Sequence, residues 1–279
     1  MSAIIDAHAH VWDGTAAGKD PGPVRAGYSA QSQASVELLL DYMDEAGVQK
    51  AVLVQPWFYQ WDNTYLAGCL ARYPGRFRGV CVVDPRGAGA PAALQRWRDQ
   101  GVTGIRLRPR RLGRVPVPGP WFGTDETLPL WEAIAETDTI ICTLGSDTEL
   151  AALPALLQRL PSVKVVVDHL NIPVASEGLG QRRFQACLEL ARFPTVFVKI
   201  AGFHQWCQER YPFRDGIPYL EAAVKVFGAE RCMWASDYPH VLAGCGYLRS
   251  RNLLARQAKF LSAEQLEWVM GKTAERLWF

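Results

Sequence analysis

Short apolar runs alternate with longer stretches of helical periodicity along the chain. Within 36–43 the apolar residues recur at i, i+3, i+4 and i+7, the spacing of one helix face, and Gly47 ends the pattern. The run at 163–169, VKVVVDH, is almost continuously β-branched, as expected of a strand buried on both faces. Strands are predicted at 4–5, 51–55, 80–84, 102–108, 139–144, 163–169, 195–200 and 232–237. Helices are predicted from 36 onwards and near 63–73, 91–101, 127–137, 150–160, 181–192, 216–227 and 247–270.

Eight strands that alternate with eight helical segments predict a parallel sheet with right-handed crossovers. Eight such units in 279 residues fit a closed (β/α)8 TIM barrel better than an open, doubly wound sheet. The doubly wound alternative lacks its usual phosphate-binding turn, because no G-x-G-x-x-G follows the first strand. The segment 109–124 is rich in turn-forming residues and is predicted to be a loop. No change of composition marks a linker, so we expect one domain over 1–279.

Composition and charge exclude several classes of protein. The chain is 49% hydrophobic and 21% charged, which suffices for a large core. Its 30 basic and 28 acidic side chains give a net charge of +2, which argues against a nucleic-acid-binding protein. It has no run of 18 or more apolar residues, so we expect no membrane segment, and Asp6 interrupts the first apolar stretch, unlike in a signal peptide. Seven scattered cysteines without a C-x-x-C pair fit a cytoplasmic protein with reduced thiols.

The ends of the predicted strands carry most of the histidines. In (β/α)8 barrels the reactive groups cluster at the carboxyl ends of the strands, because the loops there line one mouth. His8 and His10 stand two positions apart at the end of strand 1 and therefore share a face. His169 ends strand 6, and Asp237 ends strand 8, where a buried carboxylate needs partners. We expect these four side chains to meet at one site.

Cations at the same mouth are candidates for binding an anionic substrate. Arg106 and Arg108 alternate on strand 4, and a guanidinium fork suits a substrate carboxylate, although both could instead form ordinary ion pairs. Lys199 lies within strand 7 and is either a substrate-binding cation or a structural residue. Asp84 precedes a proline and is interpreted as part of a turn.

Aromatic residues and further histidines follow several strand ends. Clusters at 57–61, 121–122 and 203–206 would form walls of a pocket for a flat or aromatic substrate, the alternative being simple packing of the loops. His240 would bind a substrate oxygen or brace its loop. The remaining substrate-binding candidates are Trp57, Tyr59, His204, Tyr238 and His240.

In the order IIDAHAHVW (4–12), YPGRFRGVCVVDP (73–85), GVTGIRLR (101–108), VVVDHLNIP (165–173) and ASDYPH (235–240), these motifs resemble the amidohydrolase superfamily. The resemblance covers nearly the whole chain and points to the amidohydrolase-related branch of TIM-barrel hydrolases and lactonases, such as 2-pyrone-4,6-dicarboxylate lactonase and sugar lactonases. It implies a reaction centre of His8, His10, His169 and Asp237, with a water nucleophile prepared by Asp237.

Two departures from the superfamily pattern concern metal binding. Many members carry a metal-bridging Lys or Glu at the end of strand 4, where this chain has Arg106, a permanent cation that cannot bridge metals. Many also carry a histidine at the end of strand 5, where this chain has Thr143 or Leu144. The resemblance therefore implies either one divalent metal, zinc by preference, on His8, His10, His169 and Asp237, or metal-free catalysis.

The predicted function is hydrolysis of a lactone or ester, with amide hydrolysis left open, of a small carboxylated or aromatic substrate. Asp237 would activate water, and the three histidines would polarise the carbonyl directly or through a metal. Two alternatives remain at this point. One is a metal-dependent decarboxylase of an aromatic acid from a sister branch, and the other is a barrel that binds a ligand without catalysis.

Overall fold

Eight parallel strands form one sheet. Their order in the sheet is their order along the sequence, so each strand pairs with the one that follows it. The structure, a computed structural model, describes residues 2–13, 34–108, 111–112, 115–116, 121–145 and 150–279. The strands of the sheet are β1 (Ile5–Ala9), β2 (Lys50–Val54), β3 (Phe77–Cys81), β4 (Val102–Leu107), β5 (Ile140–Thr143), β6 (Val165–Val167), β7 (Val196–Ile200) and β8 (Cys232–Trp234).

The first and last strands meet just beyond β8, and this contact closes the sheet into a barrel. Ala9 forms a parallel bridge with Tyr238. The His10 N–H donates to the Tyr238 carbonyl at 2.7 Å, and the Asp237 N–H donates to the His8 carbonyl at 2.9 Å. We call these two hydrogen bonds the seam. The predicted (β/α)8 TIM barrel is thereby confirmed.

Helices follow the strands in the described part of the chain. They are α1 (Val36–Ala46), α2 (Thr64–Arg72), α3 (Ala90–Arg98), α4 (Leu128–Glu136), α5 (Leu153–Arg159), α6 (Arg182–Glu189), α7 (Phe203–Trp206), α8 (Ile217–Phe227), α9 (His240–Gly244), α10 (Tyr247–Gln257), α11 (Ala263–Glu267) and α12 (Thr273–Trp278), with a π-helical turn at Trp268–Lys272 between the last two. Within the described residues, none of these helices is long and apolar enough to cross a membrane.

Two layers of buried side chains hold the barrel together. One layer lies between the strands and the helices, and the other fills the barrel interior. Trp278 of α12 belongs to the interior layer and approaches β4 at Gly104, where an added Cβ would lie 2.8 Å from the indole ring. Fully buried strand residues such as Val165 and Val166 explain why these runs are apolar on both faces.

Several predicted boundaries differ from the structure; β6 and β8, for example, are shorter than predicted, at Val165–Val167 and Cys232–Trp234. β3 ends at Cys81 and not at Asp84, because the side chain of Asn63 binds the backbone N–H and C=O of Val82, both at 2.9 Å, in place of the sheet. The predicted loop at 109–124 contains a short antiparallel pair, Arg111–Leu112 with Val115–Pro116, and its remaining part before Trp121 lies outside the described residues. The helical region predicted at 247–270 is divided into α10 and the longer α11-to-α12 segment.

Candidate active site

The two histidines of β1 point into the same space inside the barrel. The register between β1 and β2 shifts between Asp6 and Ala9, and an irregularity of this kind re-aims side chains. Ala7 packs within the interior layer, whereas Asp6 faces the opposite side of the sheet. His8 Nε2 lies 3.1 Å from His10 Nε2, so the predicted convergence of the pair is present.

Both imidazoles are anchored at the nitrogen that faces away from their partner. His10 Nδ1 lies 2.7 Å from the Val54 carbonyl oxygen, which only accepts, so Nδ1 carries the proton of the neutral ring. His8 Nδ1 lies 3.0 Å from Lys199 Nζ and 3.3 Å from Asp168 Oδ1. Burial first, and neighbouring positive charge second, hold the pKa of each histidine well below its usual range, so both rings are neutral.

His169 is aimed into the site by a strained turn after β6. The four residues 169–172 have φ values of 54, 51, 65 and 49°, and each such left-handed L-residue costs about 1–2 kcal/mol. The side chain of Asn171 supports the turn by accepting the Gly145 N–H at 3.0 Å. His169 Nε2 comes to lie 3.7 Å from Asp237 Oδ1. Burial lowers the pKa of His169 to about 3, so this ring is neutral as well.

Asp237 lies at the seam with a left-handed φ of 61°, and its carboxylate faces all three histidines. Oδ1 lies 3.9 Å from His8 Nε2, 3.7 Å from His10 Nε2 and 3.7 Å from His169 Nε2. Oδ2 accepts a hydrogen bond from the side-chain amide of Gln205. The four side chains predicted from the strand ends therefore do meet, and Gln205 fixes the orientation of the carboxylate.

Burial also sets the protonation of Asp237. The loss of solvent raises its pKa to about 8, with the charge of Arg106 lowering it and that of Asp168 raising it. A carboxylate with a pKa near neutrality is suited to accept a proton and later return it.

The Asp168 carboxylate forms ion pairs with two cations, Arg106 and Lys199, next to His8. Its Oδ2 lies 3.1 Å from Nε and from Nη2 of Arg106, and its Oδ1 lies 3.0 Å from Lys199 Nζ. All three side chains are buried. Burial alone would raise the pKa of Asp168, but the positive charges of Lys199 and Arg106 outweigh it, and the pKa falls well below its usual range. The carboxylate is therefore ionised and neutralises part of the cationic charge.

Lys199 is buried among protein groups, and its predicted contact with substrate stays a prediction. Its ammonium nitrogen forms hydrogen bonds with His8 Nδ1 at 3.0 Å and Cys142 Sγ at 3.3 Å, and an ion pair with Asp168 Oδ1 at 3.0 Å. The side chain is completely buried. Burial lowers the pKa of Lys199, but Asp168 more than offsets this effect and raises the pKa overall, so the ammonium stays charged.

Asp6 supports the seam from the outer side of the sheet. Its carboxylate accepts the backbone N–H of His8 at 3.1 Å and that of Ser236 at 2.9 Å. It also accepts the hydroxyls of Ser236 and Tyr247, at 2.5 and 2.9 Å. Burial raises the pKa of Asp6, whereas these hydrogen bonds lower it. The residue ties β1 to the chain after β8 and so positions Asp237.

The donor atoms of the histidines and Asp237 lie close enough together for a single divalent metal ion. Ligand atoms of His8, His169 and Asp237 lie within 4.8 Å of one another, and those of His10, Asp237 and His240 form a second such group. Imidazole and carboxylate donors suit zinc, for which three protein ligands make a catalytic site. A divalent-metal site at this position is therefore compatible with the side chains present.

The two departures from the superfamily pattern are present in the structure. Arg106 is buried on the interior of β4 and pairs with Asp168, and Thr143 is the buried last residue of β5. Arg108 follows β4 and is half-buried, and its contact with substrate stays a prediction. His204 Nε2 lies 3.6 Å from Asp237 Oδ2, so this residue borders the site.

The predicted aromatic wall after β2 is mostly part of the core. Phe58 and Tyr59 are buried, and Phe58 packs edge-to-face on Trp12, with 5.2 Å between ring centroids. The Tyr59 hydroxyl donates to Asp13 at 2.8 Å. Trp57 is half-buried, and its contact with substrate stays a prediction. Phe58 and Tyr59 therefore pack into the core, and a contact of this cluster with substrate stays a prediction.

The other predicted substrate-binding residues after β7 and β8 fall into two groups. Phe203 and Trp206 are buried and pack together at 5.0 Å between ring centroids. Tyr238 is fully buried next to Tyr42, at 5.7 Å between ring centroids, and contributes its backbone to the seam; its contact with substrate stays a prediction. The ring of His240, in contrast, lies beside that of His10, at 5.6 Å between centroids.

Asp168, Asp6 and Gln205 received no role from the sequence. Asp168 stands next to His169 at a strand end, and a charged residue there, together with Lys199 inside an apolar strand, could have indicated a buried ion pair. The role of Asp6 depends on its hydrogen bonds across the seam to Ser236 and Tyr247, which no periodicity reveals. Gln205 lies in a helix of four residues, too short for a pattern.

Comparison with known proteins places this site in a family. The Amidohydro_2 amidohydrolase family model matches residues 5–279, and the chain belongs to this family. L-fucono-1,5-lactonase of Burkholderia ambifaria is 31% identical over 247 residues, which are 86% of this chain and 81% of the relative. 4-Sulfomuconolactone hydrolase of Rhizobium radiobacter is 24% identical, over 84% of this chain and 75% of the relative. The predicted class, a lactonase-like hydrolase of the amidohydrolase superfamily, is confirmed.

Solved structures show the same barrel. A 2-pyrone-4,6-dicarboxylic acid hydrolase from Pseudomonas putida has a TM-score of 0.81 at 28% identity, over 99% of this chain and 97% of that one. A zinc-bound amidohydrolase from Burkholderia multivorans has a TM-score of 0.77 at 22% identity, over 99% of both chains. A manganese-bound dihydroxybenzoic acid decarboxylase from Polaromonas sp. JS666 is 15% identical, with a TM-score of 0.72 over 99% of this chain and 97% of that one. The last two likenesses show the fold alone.

Proposed function

We propose that the protein hydrolyses the lactone of a small organic acid that carries a carboxylate group. The single observation that carries this proposal is the buried Asp237, with a raised pKa, facing three neutral histidines beside a cation, Arg106. The lactonases among the relatives support the choice of a cyclic ester over an amide. The decarboxylase alternative is less well supported, because it rests on a likeness of fold.

Asp237 acts as the general base. Its carboxylate takes a proton from a water molecule, and the oxygen of that water forms a bond with the lactone carbonyl carbon. The carbonyl π electrons move to the oxygen, which becomes an oxyanion. When the oxyanion collapses, the bond to the ring oxygen breaks, and this oxygen takes the proton back from Asp237. The product is the open hydroxy acid, and the enzyme returns to its starting state.

The oxyanion needs hydrogen-bond donors that are already in place. His169 is suited to this role, because its Nδ1 has no hydrogen-bond partner among the described residues, and this favours the neutral tautomer with the proton on Nε2. That nitrogen is the one that lies 3.7 Å from Asp237 Oδ1. A zinc ion on His8, His169 and Asp237 would supply Lewis-acid polarisation of the carbonyl when bound.

Arg106 supplies the specificity for an anionic substrate. Its Nε and Nη2 contact Asp168, and within the described part of the chain no residue accepts a hydrogen bond from Nη1. The guanidinium therefore keeps a donor edge for a carboxylate.

The proposal is tested by incubating the purified protein with a panel of five- and six-membered lactones, with and without a carboxylate substituent, and following ring opening by acid release. We expect turnover of carboxylated lactones. If simple amides or aromatic acids are turned over and no lactone is, the proposed reaction is wrong.

Arg106→Lys is expected to raise KM for a carboxylated lactone by about 10- to 100-fold, because a charge-assisted hydrogen bond contributes roughly 1.5–3 kcal/mol. Lysine keeps a positive charge next to Asp168 but lacks the paired N–H donors of the guanidinium group, which can bind both carboxylate oxygens. The matched control is the same ring without the carboxylate, whose KM should change far less. An equal increase in KM for both lactones would mean that Arg106 does not bind the substrate carboxylate.

The pH dependence should follow the ionisation of Asp237. The base must be deprotonated, and its pKa is about 8, so kcat/KM of the metal-free protein should rise about tenfold per pH unit below pH 8 and then level off. Because the pKa in the folded state exceeds the unfolded value of 3.8, protonation favours folding, and this contribution is lost as the pH rises towards 8. Initial rates, corrected for spontaneous lactone hydrolysis, check the first statement. A flat profile between pH 6 and 8 would contradict it.

A further inference from the structure

The hydrogen bonds of the two β1 histidines run in one direction. At one end the Val54 carbonyl only accepts, so His10 carries its proton on Nδ1 and presents a lone pair on Nε2. At the other end the Lys199 ammonium only donates, so His8 accepts at Nδ1, at 3.0 Å. A neutral His8 then carries its proton on Nε2 and donates it to His10 Nε2, at 3.1 Å. The groups at the two ends of this row of hydrogen bonds, the Val54 carbonyl and the Lys199 ammonium, require the same placement of the ring protons.

This arrangement is unfavourable for a metal ligand. A histidine ligand usually binds the metal with one nitrogen and donates the N–H of the other nitrogen to a carboxylate or carbonyl group. For His8 to bind a metal through Nε2, its proton would have to move to Nδ1 and point at Asp168 Oδ1, at 3.3 Å. Lys199 Nζ already occupies that direction at 3.0 Å from Nδ1 and 3.0 Å from the same carboxylate oxygen.

His169, the second imidazole of the same group of donors, also lacks support for a ligand role. If its Nε2 bound a metal, Nδ1 would carry the proton, and within the described residues Nδ1 has no hydrogen-bond partner. His10, in contrast, already donates from Nδ1 to a carbonyl and is ready to act as a ligand. The donor atoms are placed as a metal ion requires. In His8 and His169, however, the ring proton is on the nitrogen that would have to bind the metal.

We propose that Lys199 is a positioning residue that holds His8 in its Nε2–H tautomer and thereby keeps the affinity of the site for divalent metal low. The residue links β7 to the histidine pair through Asp168 and does not touch the reacting atoms. Metal binding in this chain then requires a change of tautomer that Lys199 opposes. The inference goes beyond the proposed hydrolysis, and its tests use no substrate, so either can fail without the other.

The tautomer is measured directly in the unaltered, metal-free protein. Nitrogen-15 NMR of histidine-labelled protein distinguishes a protonated ring nitrogen from an unprotonated one, and the His8→Gln variant assigns the His8 signals. We expect an unprotonated Nδ1 and a protonated Nε2 for His8. A protonated Nδ1 would overturn the proposal, and this measurement does not depend on whether any Lys199 variant folds.

Lys199→Met removes the competing donor. The variant should move the His8 proton to Nδ1, where Asp168 accepts it, and should bind Zn²⁺ about 10- to 100-fold more tightly in calorimetric titrations, the range typical of residues that orient metal ligands. Lys199→Arg keeps a cation and should bind Zn²⁺ weakly, like the unaltered protein. Lys164→Met, which removes a surface lysine paired with Asp138 at 2.8 Å, controls for a general loss of charge and should change nothing.

Two results would contradict the role of Lys199. If Lys199→Met binds Zn²⁺ no more tightly than the unaltered protein, the residue does not limit metal binding. If the affinity rises while the His8 tautomer stays the same, charge alone is responsible and the positioning role is wrong.

Discussion

Asp237→Asn is expected to lower kcat for lactone hydrolysis by about 10²- to 10⁴-fold, the contribution typical of a general base. Asparagine has the same shape and can still accept the hydrogen bond from the Gln205 amide, but it cannot take a proton from water. Because burial disfavours the ionised carboxylate, the neutral side chain should not destabilise the fold. The measurement is single-turnover hydrolysis together with a thermal unfolding curve.

A matched control is Asp84→Asn. Asp84 forms an exposed ion pair with Arg86 at 3.1 Å, far from the histidines in the sequence and without a role in the proposed reaction. Its kcat should be unchanged. If Asp237→Asn keeps more than about a tenth of the activity, which is a loss of less than 1.4 kcal/mol in transition-state stabilisation, another group activates the water.

Asp168→Asn is expected to destabilise the protein by about 3–5 kcal/mol, because it leaves Lys199 and Arg106 buried without their shared counter-ion. This is a large part of the total stability of a typical domain. Urea denaturation followed by circular dichroism measures the change. Asp138→Asn, which breaks an exposed pair with Lys164, should cost only about 0–1 kcal/mol.

A double variant separates the loss of a counter-ion from a general loss of packing. Adding Lys199→Met to Asp168→Asn removes one of the two stranded charges and should restore part of the stability, because removing both partners costs less than removing one. Additive losses would show that the ion pair is not the cause.

The stability contributed by Asp168 should also depend on pH in a defined direction. Its pKa in the folded protein is held well below the unfolded value of 3.8, so the contribution is present above that value and is lost as the pH falls towards the folded pKa. The direction is opposite to that for Asp237, whose protonated form favours folding.

The meeting of His8, His10, His169 and Asp237 could be predicted because a barrel brings the carboxyl ends of all its strands to one rim. Strand positions and residue types were enough for that step. The role of Lys199 could not be predicted, because a strand pattern shows that a residue faces the interior but not which of its neighbours takes its hydrogen bonds. The aromatic residues after β2 are ambiguous for a related reason: a loop rich in Trp and Tyr packs equally well into a core or around a ligand.

The side chain of Asn63 shows a second limit of the sequence. It replaces the sheet hydrogen bonds of Val82 and so ends β3 inside a continuous apolar run. Hydropathy cannot locate such a boundary, because burial continues where the pairing of strands stops. The same applies to the register shift in β1, after which His8 points into the barrel although Asp6, two positions earlier, faces outward.

The closing contact of the barrel has a consequence for the durability of catalysis. The amide groups that join the first strand to the last belong to His10 and Asp237 themselves. The hydrogen bonds that close the barrel therefore also hold the reactive centre together. A fluctuation that separates β1 from the chain after β8 moves Asp237 away from His8 and His10, while the other strand pairs stay intact. Local opening at this junction is therefore a route to loss of activity that does not require global unfolding of the barrel.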